Sequence, residues 1–367
     1  MRIIKIALSG GVSGGKSSAK KWIEKYFRKL GYTVLFVSET ATDLFSSGIS
    51  YRSDRPEDRI PPMLFQELLF RLQTEKEAIF TKAAESLPSD KVLIFYDRGL
   101  PDNKAYMSEE EFEELLEAYQ TNEVEVRDHY DAVFHLLTPA KDAPECYNTE
   151  NNPARTETPE EAIIGDDKLL AIWTGHPHFR IIDNSTDFDN KMKRLLKEIS
   201  DFIGEPAPFE IERKFLIEYP DKQWLESQPS CKRIEIIQTY LKSDDPDEEI
   251  RIRQRGADGN YLYFKTSKRK ISEIRRVEVE EHLTKDEYIA LLMEADTSKR
   301  QIRKTRYCLT YENQSLEIDV YPFWNHQAIL EIELNDENTP VNIPEQLKII
   351  KEVTEDPSYK NAALATV

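Results

Sequence analysis

Leu316-Glu317-Ile318-Asp319-Val320 and Leu330-Glu331-Ile332-Glu333-Leu334 alternate carboxylates with aliphatic residues at every step. Successive side chains of a strand point to opposite faces, so each stretch predicts a strand with one oily and one acidic face. The same spacing recurs outward from this pair. Glu210-Ile211-Glu212-Arg213-Lys214 precedes it, and Arg251, Arg253 and Arg255 give a basic version. Lys265 follows, then Arg276 with Glu278 and Glu280, then Lys304 with Arg306. The positions between are largely apolar, among them Phe215, Ile250, Ile252, Leu262, Phe264, Val277 and Val279.

The plainest reading is an antiparallel sheet with its apolar face on a core and its charged face in water. A solvated face would equally accept Ser, Thr, Gln and Asn, whereas these strands repeat charge and sort it by sign. If the charged face is enclosed, like charges crowd and must be neutralised. Carboxylates clustered without His or Cys suit a hard cation such as Mg²⁺ or Mn²⁺. Clustered Arg and Lys suit phosphate oxygens. Both in one cavity imply a metal-bound polyphosphate.

The ordered series, opened by the ExExK pattern of Glu210, Glu212 and Lys214, resembles the CYTH domain of the triphosphate tunnel metalloenzymes. The resemblance covers roughly the last two-fifths of the chain. It implies an eight-stranded antiparallel tunnel flanked by helices over residues 208–360. Metal would be held by Glu210, Glu212, Glu278, Glu280, Glu317, Asp319, Glu331 and Glu333. A triphosphate would be held by Arg251, Arg253, Lys265, Arg276, Lys304 and Arg306, with Glu210, Glu212 and Lys214 in the reaction. It leaves open whether the substrate is inorganic or organic triphosphate.

At 367 residues the chain predicts two domains. A formal charge of −18 argues against general nucleic-acid binding, though not against a local basic cavity. Cys146, Cys231 and Cys308 are far apart and lack metal-ligand spacing, as expected of free thiols in a reducing interior. No apolar run approaches a transmembrane length, and Met1–Leu8 is too short for a secretion signal, so the expected setting is cytoplasmic.

Ahead of the charged strands, short apolar runs at residues 3–8, 33–37, 92–96, 132–137 and 179–182 alternate with helical spacing near 16–30, 61–86, 108–119 and 189–203. This predicts an α/β domain with a parallel sheet over residues 1–204. Gly204-Glu205-Pro206-Ala207-Pro208 marks the boundary. The acidic run from Ser108 to Glu114 reads as the solvated start of a helix. Asn148–Glu161, polar and Pro-containing, reads as a mobile loop, and Asn361–Val367 as a frayed tail.

Gly10-Gly11-Val12-Ser13-Gly14-Gly15-Lys16-Ser17 fits GxxxxGK[ST] between a predicted strand and a predicted helix. Its glycines let the backbone wrap phosphate oxygens at a helix N-terminus, which Ser18 extends. Lys16 is expected at the β- and γ-phosphates and Ser17 on Mg²⁺. Ligands of open α/β sheets gather at strand ends. That rule points to Asp97 as a metal-holding carboxylate, Arg98 beside it, and Glu39 as an acid or base for an acceptor. Arg155, in the polar loop, is the candidate lid arginine. His176 and His178 read as packing or turn residues.

Glu39-Thr40-Ala41-Thr42, Asp97-Arg98-Gly99, Arg127-Asp128, Arg155-Thr156-Glu157, Trp173 with Gly175-His176-Pro177, and Ile182-Asp183-Asn184 recur in the order of another family. They resemble the AAA-like P-loop domain shared by the kinase portion of NadR and the TRPL translocation defect protein. The latter joins this domain to a CYTH-like one. The resemblance implies ATP or GTP as ligand, with Asp183 and Asn184 helping to set the base. Two functions follow. One is a P-loop NTPase or small-molecule kinase fused to a metal-dependent tunnel phosphohydrolase. The other is a GTP-regulated protein whose tunnel binds phosphatidic acid or another phosphorylated ligand without turnover.

Overall fold

The computed structural model describes residues 2–142, 144, 158–205, 211–243, 245, 248–272, 275–334 and 339–366; of Asp142, Ile211 and residues 269–272 and 275–279 it describes the backbone alone. The chain forms two compact units, Met1–Lys197 and Glu198–Val367. The division falls ahead of the expected break at Gly204.

The first unit runs β1 (Arg2–Ser9), α1 (Lys16–Lys29), β2 (Thr33–Val37), α2 (Thr40–Ser46), α3 (Pro62–Glu85), β3 (Lys91–Asp97), α4 (Glu109–Ala118), α5 (Glu123–Arg127), β4 (Ala132–Leu136), α6 (Pro139–Asp142), α7 (Pro159–Trp173), β5 (Phe179–Ile182) and the first part of α8 (Phe188–Ile203), which continues past Lys197. Its five strands are parallel in the order β2-β3-β1-β4-β5. Ile4, Ile6, Leu93, Ile94, Val133 and Phe134 are buried, as continuous aliphatic runs require when helices cover both faces. The chain order reverses at β1, between β3 and β4, and ligands collect at such a switch point. The acidic run is the first turn of α4, with Ser108 and Glu111 in a reciprocal cap.

The second unit runs β6 (Ile211–Glu218), α9 (Lys222–Glu226), β7 (Cys231–Leu241), β8 (Glu248–Ala257), β9 (Asn260–Ser272), β10 (Arg275–Leu283), α10 (Lys285–Leu291), β11 (Ile302–Tyr311), β12 (Gln314–Val320), β13 (Gln327–Leu334), β14 (Ile349–Glu352) and α11 (Asn361–Leu364). All strands pair antiparallel in one sheet of order β10-β9-β8-β7-β11-β12-β13-β6-β14. Among the described residues it has nine strands rather than the expected eight, because the four-residue β14 adds to the edge of β6. Phe215, Ile217, Tyr307, Leu309, Leu316, Ile318, Leu330 and Ile332 form one apolar core with Leu225 of α9. Ile252 and Tyr263 pack against Tyr288 of α10. Among the described residues no helix is long and apolar enough to cross a membrane.

Two local expectations change. Pro159–Glu161 form the first turn of α7, capped by Thr158, instead of belonging to a loop. Residues 145–157 lie outside the described residues. Asn361–Leu364 is helical, and Ala365 is fully buried against Tyr240, Ile302, Tyr321 and Ile329. The tail is docked because the sheet offers it an apolar end to cover.

Candidate phosphate sites

In the first unit the Gly-rich loop joins β1 to α1 where the motif requires it. A Cβ at Gly10 would lie 2.2 Å from the Leu136 carbonyl oxygen, and φ there is 135°. Only glycine lets this loop lie against the end of β4. The Gly11 N–H donates to the buried Asp166 at 2.6 Å, and Asp166 also meets His135 at 3.0 Å. Lys191 donates to Gly14 O, Leu137 O and Asn184 Oδ1. The loop is thus held from beneath by an acid and a base whose roles the sequence pattern did not reveal.

Lys16 folds back onto Gly10 O at 2.7 Å and Gly11 O at 3.2 Å. Burial and the nearby Arg98 bring its ammonium down to about 8. Ser17 and Ser18 are exposed at the start of α1, and Ser13 holds positive φ in the loop. Arg98 Nε donates to Glu39 Oε1 at 2.6 Å. Burial alone would raise Glu39, but Arg98 and Lys16 outweigh it and take it down to about 2. Glu39 is therefore an anion held by Arg98, not a poised base. Burial raises Asp97, with Lys16 opposing. Asp97 Oδ1 and Arg98 Nη1 are buried with no hydrogen-bond partner among the described residues. An acceptor and a cationic donor left this way beside a phosphate loop fit a metal ion and an anionic oxygen.

Asp183 and Asn184 are both engaged within the protein. Asp183 Oδ1 accepts from Ser185 and from Arg194 at 2.7 Å. Asn184 donates to Thr138 O and accepts from Lys191. Asp102 escaped the sequence reading. It takes hydrogen bonds from Ser9, Trp173 and the Gly99 N–H, tying the end of β1 to the Asp97-Arg98-Gly99 turn. His176 is buried and meets Tyr130 O at 2.8 Å, a packing role as expected. Arg155 lies outside the described residues.

In the second unit, register assembles one charged face. Glu333 lies opposite Glu212, Glu331 opposite Lys214, Glu317 opposite Glu331, and Arg306 opposite Asp319. Arg251 faces Tyr240 on one side and Thr266 on the other, and Thr266 faces Glu280. Directly opposed residues share a face. Glu212 and Glu333 are exposed, but Lys214, Arg255, Thr266, Lys304 and Asp319 are as buried as core residues. Charge at such depth is not a solvated face.

The two signs neutralise each other. Arg306 reaches Asp319 at 2.6 and 2.7 Å, Glu331 at 2.9 Å, and also Glu317. Lys304 pairs with Asp319 and Lys214 with Glu331, the latter at 2.8 Å. Burial would raise Glu331, but Arg306, Lys304 and Lys214 hold it far below the usual carboxylate range. Burial lowers Lys304, with Arg306 adding to it. Arg253 pairs with Glu280, which also accepts from Thr266 at 2.9 Å.

Lys265 is set apart from this group. It lies opposite Ile252 and Glu281, on the face that packs under α10. Phe264, expected on the oily face, lies opposite Arg253 on the charged one. Lys268, opposite Glu249 and Glu278, takes the position forecast for Lys265. Arg276 and Glu278 hold register positions opposite Lys270 and Lys268, and their side chains, like all of Glu210, lie outside the described residues.

An all-carboxylate donor set fits a hard cation in chemistry. Among the described residues, no three His, Cys, Asp or Glu are arranged to hold a metal. Arg306 and Lys304 lie between the acids that would have to converge.

Residues 5–191 match a family model described as an AAA domain, and residues 208–360 match one described as a CYTH domain. No curated protein matches the sequence significantly. Among solved structures the chain is similar to the crystal structure of the hypothetical protein NE1496, at 30% identity over 43% of this chain and 97% of that one, with a TM-score of 0.31. It is similar to a crystal structure described as the inorganic triphosphatase NE1496, at 31% identity over 43% and 94%, TM-score 0.30. The PH1819 protein from Pyrococcus horikoshii OT3 is similar at 23% identity over 35% and 80%, TM-score 0.27.

Proposed function

Because the chain belongs to the AAA domain family through residues 5–191 and carries a CYTH domain at residues 208–360, we propose that it handles phosphoanhydrides at two separate sites. The first binds ATP or GTP at the Gly-rich loop. The second hydrolyses a triphosphate-containing substrate on the buried charged face. The observation that carries this reading is the depth of that face. Acids and bases are brought together on four neighbouring strands, with Lys214, Lys304 and Asp319 buried and Arg306 and Glu331 only slightly exposed, an arrangement whose desolvation cost argues for a charged ligand.

Arg306, Lys304, Arg251 and Arg253 would hold the polyphosphate oxygens, Arg by its fork and Lys as a point charge. A divalent cation on the carboxylates would polarise the phosphoryl group under attack. Lys304 and Asp319 are buried, which strengthens the charge interactions they make. At the first site Asp97 and Ser17 would hold Mg²⁺ and Lys16 the outer phosphates. The Glu39–Arg98 pair lies at the same strand ends, where an acceptor would enter.

Phosphate release from inorganic triphosphate, ATP and GTP, with Mg²⁺ or Mn²⁺, tests the proposal. Lys16→Ala should abolish nucleotide binding and leave triphosphate hydrolysis intact. Glu212→Ala should do the reverse. Binding of triphosphate without any turnover would instead favour a ligand-binding role for the second unit.

A further inference from the structure

Three carboxylates from two adjacent strands, β12 and β13, meet one guanidinium. Asp319, Glu317 and Glu331 all accept from Arg306, and among the described residues every hydrogen bond of its three nitrogens goes to these acids. Lys304 takes a further share of Asp319, and Lys214 a further share of Glu331. The result is a closed set in which each acid already has a cationic partner. Arg306 and Asp319 are directly opposite in register, as are Glu317 and Glu331, so the backbone itself brings the groups together.

The closure has a consequence for ligands. A divalent cation arriving alone must displace Arg306 and leave a buried guanidinium without a counter-charge. A polyphosphate arriving alone must draw Arg306 away and leave three carboxylates crowded together. Each ligand alone is opposed, and each removes the obstacle to the other. We infer that Arg306 is a two-position switch, bound to the carboxylates in the empty site and to phosphate in the filled one, so that metal and polyphosphate bind as a coupled pair. This rests on the proposed triphosphate site and adds the rule by which it fills. By linkage, the factor by which polyphosphate strengthens metal binding equals the factor by which metal strengthens polyphosphate binding.

Calorimetric titration tests the switch, using the full chain carrying Lys16→Ala so that the Gly-rich loop does not contribute. The probes are Mn²⁺ and imidotriphosphate, whose nitrogen bridges resist hydrolysis. Each should bind more tightly in the presence of the other, by a common factor on the order of 5–150-fold. Arg306→Gln adds a readout that a merely structural arginine would not give. With the carboxylates released, Mn²⁺ alone should bind more tightly than to the parent, and the coupling factor should shrink. If Arg306→Gln fails to fold, judged by its melting curve, Lys214→Gln should shift both quantities in the same direction by less, since Glu331 keeps Arg306.

Equal Mn²⁺ affinity with and without imidotriphosphate overturns the switch while leaving the triphosphate site in place. Weaker Mn²⁺ binding to Arg306→Gln overturns it as well. Failure of imidotriphosphate to bind under any condition removes the triphosphate site itself, and the switch with it.

Discussion

Tyr130 and Gln73 both donate to Oε1 of Glu77, a buried carboxyl in the middle of α3, while its Oε2 makes no hydrogen bond among the described residues and lies 3.7 Å from His129 Nε2. Burial raises this carboxyl to about 7, against the hydrogen bonds from Tyr130 and Gln73 and the charges of Lys5 and Lys76. A carboxyl raised in this way keeps its proton in the folded state where the unfolded chain has lost it. Its contribution to stability is full below about pH 4.5 and is lost as pH rises through about 7. The shift corresponds to about 3 kcal/mol. Glu77→Gln keeps the acceptor for Tyr130 and removes the titration. In urea denaturation the variant should be more stable than the parent at about pH 8 and no more stable at about pH 4. Parallel pH profiles for the two proteins would refute the assignment. Gly99 makes a second residue-scale case. A Cβ there would lie 2.7 Å from the Trp173 ring and 3.0 Å from the Tyr130 ring, both buried. Gly99→Ala should therefore cost about 1–3 kcal/mol by overpacking, read as a lower denaturation midpoint. Trp173 and Gly99 were visible in the sequence as parts of a familiar series. Their contact was not, because it joins residues far apart in the chain.

The strand whose phase was misjudged shows what an element contributes. Asp258 and Gly259, with φ of 52° and 92°, form the two-residue turn between β8 and β9, with Ala257 opposite Asn260. Positive φ at both central residues is the primed hairpin geometry that Asp-Gly favours, and such a turn locks register. Counting from it puts Thr266 opposite Arg251 and Lys268 opposite Glu249, and sends Lys265 to the other face. Lys268→Gln should therefore weaken imidotriphosphate binding several-fold, while Lys265→Gln should leave it unchanged; the opposite ranking by calorimetry would show the register to be wrong. The Asp-Gly pair was in the sequence, and the turn rule applied to it would have set the phase that the charge spacing alone left open. Strands β1 to β5 were legible because uninterrupted aliphatic runs bounded by polar residues have few alternatives. Helix α7 was not, because Ala162, Leu169, Leu170, Ile172 and Trp173 are all buried and Gly165 interrupts it, which blurs the one-sided spacing of an amphipathic helix. The docked tail was missed for a different reason: Ala362, Leu364 and Ala365 give no periodic signal, and only the apolar end of the sheet explains them.

At the scale of the whole molecule, the formal charge of −18 and the buried basic strands act on a polyphosphate in opposite directions. Arg306, Lys304 and Arg253 attract it only over short distances, since each is paired with an acid on the same face. The net charge repels it over the range that salt screens, about 10 Å at 0.1 M. A trianion or tetra-anion approaching without metal therefore meets repulsion first and attraction last. Raising the ionic strength removes the repulsion outside the site more than the attraction inside it, because buried pairs are screened far less than exposed charge. The association rate of metal-free imidotriphosphate, measured by stopped flow, should accordingly rise between roughly 0.01 and 0.1 M salt, whereas its dissociation rate should change little. An association rate that falls with salt would mean that the basic strands project their field beyond the protein surface. The acids that Arg306 holds would then be too few, or too distant, to balance it, and the closed ionic set inferred for the empty site could not be its resting state.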